Sequence, residues 1–278
     1  MANRYPITGG ASVVWDAVDT SIWSATSGGA TGASVPGPGD DVIMDGSSGG
    51  GTVTLGYSPT VNSIVMGAFT GTFDASTYSP TMATFSCSGT AVRTLSMGSG
   101  TWTLTGNNAS IFNVNDGTNL TVSASTAVVD CTYSGSTGIR NLFGGTKTYT
   151  CSFKISAGSD TVSFSSTTFT GINNLDFTGF TGSWSGNVIT VNGNLTFGAG
   201  MTVTASANTL TLGSTSGTKT ITSNGVAIDR PVIFDGVGGT WQLADANTVG
   251  SAATVTLTNG TLDTNDQTCS WGIFSSAN

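Results

Sequence analysis

Thr254-Val-Thr-Leu-Thr-Asn-Gly-Thr-Leu-Asp263 reads as a short β-branched strand, an Asn259-Gly260 turn and a second short strand. Thr and Val alternate with a period of two, so one face can be buried while the other shows hydroxyls to solvent. Asn-Gly is a strong turn signal because both residues tolerate positive φ. Outward from this stretch the same kind of unit recurs. Thr52-Val-Thr-Leu55, Ser63-Ile-Val-Met66, Arg93-Thr-Leu-Ser-Met97 and Thr101-Trp-Thr-Leu-Thr105 lie in the first half; Thr161–Phe164, Thr209–Leu212, Lys219–Thr222 and Thr240-Trp-Gln-Leu243 lie in the second. Gly, Asn and Ser separate these runs, and no spacer reads as a helical crossover, which excludes a doubly wound fold. The pattern predicts an all-β chain: a β-solenoid or β-helix-like stack of short strands with an N-terminal cap. Tandem β-sandwich modules are the alternative.

Composition points the same way. Only 8% of the 278 residues are charged, against roughly a quarter in an average globular protein. Every acidic residue is Asp, and Glu and His are absent. Thr suits strands and Gly, Ser and Asn suit turns, so helix is nearly excluded as a major element. The formal charge of -8 leaves no basic patch for phosphates, so nucleic acid is not an expected partner. Cys87, Cys131, Cys151 and Cys269 show no metal-like spacing, and the expectation is small buried hydrophobes rather than disulfides or zinc ligands. The first residues lack the apolar core of a secretion signal, and no apolar run approaches membrane-spanning length, so no membrane partner is expected and synthesis in a cytoplasm is.

Residues 1–45 differ from the rest. Trp15 and Trp23 sit in polar, Gly-rich surroundings, and Pro36-Gly-Pro-Gly39 forces an irregular loop before Val42-Ile43-Met44. This segment reads as a cap or attachment segment, because a stack of strands needs a plug over its first rung. Residues 46–278 read as the strand-repeat body. An echo sets Gly71-Thr-Phe-Asp74 on Gly260-Thr-Leu-Asp263 and, without a gap, Phe85-Ser86 on Phe274-Ser275. On that alignment the last residues open a further module, so the natural chain is expected to continue past Asn278.

A resemblance adds a context. Arg4-Tyr5, Trp15, Ile22-Trp-Ser-Ala-Thr-Ser-Gly-Gly-Ala-Thr-Gly-Ala-Ser-Val-Pro36 and Gly39-Asp-Asp-Val42 together resemble the N-terminal segment of phage-encoded and environmental β-helical surface proteins. The Arg-Thr-Leu-x-x-Gly-x-x-x-Trp-Thr-Leu-Thr-Gly string at 93–106, Gly238-Gly-Thr-Trp-Gln-Leu243 and Gly260-Thr-Leu-Asp263 are similar to the repeating body of that group. The resemblance implies a virion fibre, a capsid-decoration protein or an adhesin, with no shared catalytic set. The expected function is therefore a non-enzymatic structural protein of a bacteriophage virion, a head or tail fibre or capsid-decoration protein anchored through residues 1–45. It would be made in the host cytoplasm, displayed on the virion surface and held by capsid or tail proteins, as a homo-oligomer with a trimer expected. The alternatives are a host-surface or glycan-binding adhesin and a glycan-degrading tailspike.

The residues themselves offer four chemistries. Asp40, Asp41 and Asp45 follow the Gly-Pro-Gly turn and are candidate Ca²⁺ ligands, although Asp in turns commonly binds its own backbone; no other cofactor is expected. Trp102, Trp184 and Trp241 are candidate glycan-stacking residues, with the core as the alternative use. Hydrolysis of a glycan would need paired carboxylates. Asp229, Asp235, Asp245, Asp263 and Asp266 form the densest group, and Arg230 and Lys219 are the basic groups nearby. Repeated Thr-x-Thr runs admit an ice-binding array, but their spacing is irregular where a lattice-matching face needs a constant rung. The absence of His excludes His-based catalytic triads.

Overall fold

The computed structural model describes residues 1–107, 110–123, 125–145, 147–165 and 169–276. Ala277 and Asn278, to which the expected continuation of the chain would attach, lie outside them. The chain is all-β, with no helix among the described residues, and its strands stack in parallel as a β-solenoid. Parallel stacking excludes tandem β-sandwiches, whose sheets are antiparallel. Two compact units are present, Met1–Asp130 and Cys131–Asn278.

In the first unit one turn of chain takes about 22 residues. Asp41 pairs with Ser63, Ser63 with Thr84, and Thr72 with Thr94. The strands Asp41–Met44 and Thr52–Leu55 alternate half-exposed and buried residues, as period-two strands with one face inward must. In-phase residues then stack from rung to rung: Val42 on Ile64, Met44 on Met66, Val53 on Phe73 and Phe73 on Leu95. All are buried, and each such side chain contributes about 1.5–3 kcal/mol.

Residues 1–45 supply the first rungs. Asn3–Pro6 pairs in parallel with Asp41–Met44 and antiparallel with Trp23–Ser24, while Val13–Trp15 pairs in parallel with Thr52–Leu55. Trp15 and Trp23 are fully buried and meet edge to face at 5.0 Å.

In the second unit Ile139–Phe143, Thr161–Ser165, Ser183–Gly186 and Thr202–Val203 form one ladder. Ser152–Ile155, Leu175–Asp176, Leu195–Thr196 and Thr218–Thr222 form another. Phe169–Ile172, Ile189–Val191 and Leu210–Leu212 form a third. Val232–Leu243 joins two of these ladders, pairing with Leu210–Leu212 at one end and Thr218–Thr222 at the other.

The stretch 254–263 departs from its expectation. It is the end of one strand, Asn247–Asp263, paired in parallel with Val232–Leu243 and Cys269–Ser276. Asn259 stays in register with Asp235, and only Gly260 takes a positive φ of 87°. The corner is absorbed by the neighbouring strand, whose pairing jumps from Asp235 to Thr240 across Gly236-Val-Gly-Gly239. A Cβ on Gly260 would lie 2.4 Å from the Gly236 carbonyl oxygen, so this glycine serves close approach as well as chain direction.

Candidate functional site

The expected site residues fall in different places. Asp40 accepts hydrogen bonds from the Gly37 and Ala2 amides, both at 3.1 Å, and its carboxylate lies 3.9 Å from Arg4. Asp41 accepts from Asn62 Nδ2 at 2.7 Å and Ser63 Oγ at 2.6 Å, binding the next rung. Asp45 accepts from the Ser47 and Ser48 amides in a tight turn. Each carboxylate is occupied by protein donors. Among the described residues no group of three Cys or Asp side chains is placed to hold a metal.

The three tryptophans stand in the core. Trp102, Trp184 and Trp241 are 0%, 0% and 2% exposed, so none presents its face to a sugar in solvent. Trp102 donates to the Met97 carbonyl at 3.0 Å and meets Phe73 and Phe85 edge-on. Trp184 packs against Phe177, and Trp241 against Phe234.

The acidic group of the last rungs is mostly spent on rung-to-rung contacts. Asp235 accepts from Asn259 Nδ2 at 2.7 Å, and Asp245 caps the Ser223 and Asn224 amides at 2.7 and 2.6 Å. Asp263 accepts from Gln242 Nε2 at 2.8 Å and from the Asn265 amide, and these bonds hold its carboxyl below the usual range. Asp266 sits in a turn at φ 56°.

Asp229 differs. Among the described residues its carboxylate makes no hydrogen bond, and it faces an open pocket of about 710 Å³ on the second unit. Ala205, Ser206 and Ala207 line one side; Gly250, Ser251 and Ala252 line the other. Backbone pairing builds the wall, since the Ser206 amide donates to the Asp229 carbonyl and Ile228 registers with Val249. A Cβ on Gly250 would lie 2.4 Å from Asp229 Oδ1, so that glycine makes room for the carboxylate. Asp229 is the sole ionisable side chain among the described lining residues. A lone carboxylate between two serines can accept hydrogen bonds from hydroxyl or ammonium groups, but glycoside hydrolysis asks for two.

Sequence reasoning named Arg230 only as a basic neighbour of the acidic group and did not place three arginines in the interior. Arg93, Arg140 and Arg230, three of the chain's four, are 2%, 0% and 0% exposed. Arg93 donates to four backbone carbonyls, those of Cys87, Ala91, Asp116 and Thr118, and to Cys87 Sγ. Arg140 forms a bidentate pair with Asp160 (2.9 and 2.6 Å) and donates to the Cys131 and Ala157 carbonyls. Their signal was present in the alternation. Arg93 is in phase with Leu95 and Met97, Arg140 with Leu142, and Arg230 with Val232 and Phe234, so the strand period turns each one inward.

No protein-family model matches the chain, and no curated protein or solved structure matches it.

Proposed function

We propose that the protein is a non-enzymatic structural protein of a bacteriophage virion, a head or tail fibre or a capsid-decoration protein, held through residues 1–45 and working as a homotrimer on the virion surface. The observation that carries the reading is how those residues are built. They close the first rungs with Trp15 and Trp23 inside while leaving Val14 and Val18 53% and 82% exposed. A segment that plugs the stack and offers apolar side chains outward suits attachment to another protein. The resemblance of this same segment to phage β-helical surface proteins supports the virion context. Backbone pairing from rung to rung and buried arginine clamps suit a body that resists proteolysis. Cryo-electron microscopy of purified particles tests the reading. It expects density for this chain repeated on capsid or tail, with residues 1–45 at the contact. A chain missing from particles and free in solution would sink it.

The pocket at Asp229 favours a second reading, a glycan-binding adhesin. Hydroxyls of a sugar would donate to the Asp229 carboxylate and reach Ser206 and Ser251. A glycan array with the wild-type chain and Asp229→Asn tests it, and binding that survives the substitution removes Asp229 from the account.

A further inference from the structure

Arg230 stands apart from the other interior arginines. Its side chain is fully buried, yet among the described residues Nε, Nη1 and Nη2 make no hydrogen bond. One face of the guanidinium is covered, since its central carbon lies 4.2 Å from the centroid of the Trp184 ring. That contact satisfies charge through the ring face, but guanidinium N–H groups point outward in their own plane, away from a stacked ring. The indole Nε1 of Trp184 is also buried without an acceptor, as is that of Trp241. Among the described residues of this unit, every buried side-chain polar atom left without a partner is a donor. A buried guanidinium with no hydrogen-bond acceptor, stacked on a ring whose own N–H is unmatched, calls for an acceptor that carries negative charge.

The described residues do not supply one. Asp229 is the adjacent residue, but successive side chains on a strand point to opposite faces, and its carboxylate lies in the outer pocket. Arg140 solves the same problem with Asp160, 20 residues further along. The corresponding step from Arg230 reaches Gly250, which has no side chain to offer. Burial also pulls the guanidinium pKa down from 12.5 to about 10, which still leaves it charged at neutral pH.

We propose that Arg230 and Trp184 anchor an internal binding site for a small monoanion of halide type, held at the N–H edge of the guanidinium. One negative charge balances one guanidinium, and a single-atom anion accepts several N–H groups from one point without donors of its own to satisfy. The anion is a structural ion of the solenoid interior and serves folding of the second unit.

Two measurements on the intact chain test this. Diffraction from crystals equilibrated with sodium bromide, at the bromine absorption edge, is expected to show an anomalous peak within hydrogen-bond reach of the Arg230 guanidinium. Thermal unfolding in chloride and in gluconate at equal ionic strength is expected to give a Tm higher by at least about 2 °C in chloride. That difference should vanish in Arg230→Met. No bromine at the guanidinium overturns the proposal whatever the melting curves show, and ordered water in its place is that result. An anion-dependent Tm that persists in Arg230→Met overturns it as well. Should Arg230→Met not fold, the bromide map of the wild-type chain decides alone.

Discussion

Arg93, Arg140 and Arg230 lie in an interior filled mostly by apolar side chains, and each meets the cost of a buried charge differently. Arg93 ties together carbonyls of two successive turns of chain, Arg140 is neutralised by Asp160, and Arg230 stacks on Trp184. The Arg140–Asp160 pair has both side chains fully buried. Removing one partner strands the other charge, so Arg140→Met or Asp160→Asn should each destabilise the fold by about 3–5 kcal/mol in urea unfolding. The double substitution should recover part of that loss, because no lone charge remains. The cysteines sort by burial. Cys87, Cys131 and Cys151 are buried and Cys269 is half-buried. Burial pushes the Cys151 thiol up to about 12 and raises the Cys87 thiol too, and a protonated thiol is a poor nucleophile. A thiol-reactive dye should therefore label Cys269 in the folded protein and the other three only on unfolding, readable by mass spectrometry.

At the scale of the element, the echo between Gly71-Thr-Phe-Asp74 and Gly260-Thr-Leu-Asp263 has a physical basis. Both glycines sit where a Cβ would strike a carbonyl of the preceding turn, Gly51 in one case and Gly236 in the other. Both aspartates then turn the chain, Asp74 accepting from the Ser76 amide and Asp263 from the Asn265 amide, each at two residues' distance. Gly71→Ala places a methyl group 2.0 Å from the Gly51 oxygen and against the Phe69 ring. It should lower the urea midpoint by the equivalent of about 1–3 kcal/mol. Gly37→Ala meets nothing within 4 Å and has no left-handed φ; it should stay within about 1 kcal/mol of wild type. Strands such as Thr52–Leu55 and Thr101–Leu104 were legible because their alternation is clean. Ile139–Phe143 was not, because Arg140 and Asn141 interrupt the apolar pattern although Arg140 faces inward.

For the molecule as a whole, the absence of His and Glu leaves the pH response to Asp at the acid end and to buried thiols and Tyr57 at the alkaline end, opposed above about pH 10 by Arg230, whose folded pKa is lowered. Cys151 is raised in the folded state from 9.0 to about 12. Its contribution is fully present below pH 9 and is lost as pH rises from 9 through 12. Asp263 has its folded pKa lowered by Gln242 and Asn265, so its contribution is present above the ordinary value and lost as pH falls below it. Stability should be flat from about pH 5 to 8 and fall on both sides. Urea midpoints across about pH 2–11 check this, and Cys151→Ala should flatten part of the alkaline limb.

Period-two alternation, Gly and Asn corners and the scarcity of charge were enough to determine an all-β chain of short strands with an inward apolar face, because those are properties of neighbouring residues; that the strands stack in parallel and not as tandem β-sandwiches was decided by their pairing. The residues at the candidate site were legible only in part. Asp229 and Arg230 are adjacent, yet one faces a solvent pocket and the other the Trp184 ring. That Asp235 binds Asn259, that Asp245 caps the Ser223 amide, and that Arg230 lacks an Asp where Arg140 has one were decided by which turn lies beside which. Turns of about 22 residues are interrupted by longer ones, as where Arg93 pairs with Leu120, so rung register follows from tertiary packing and not from a count along the chain.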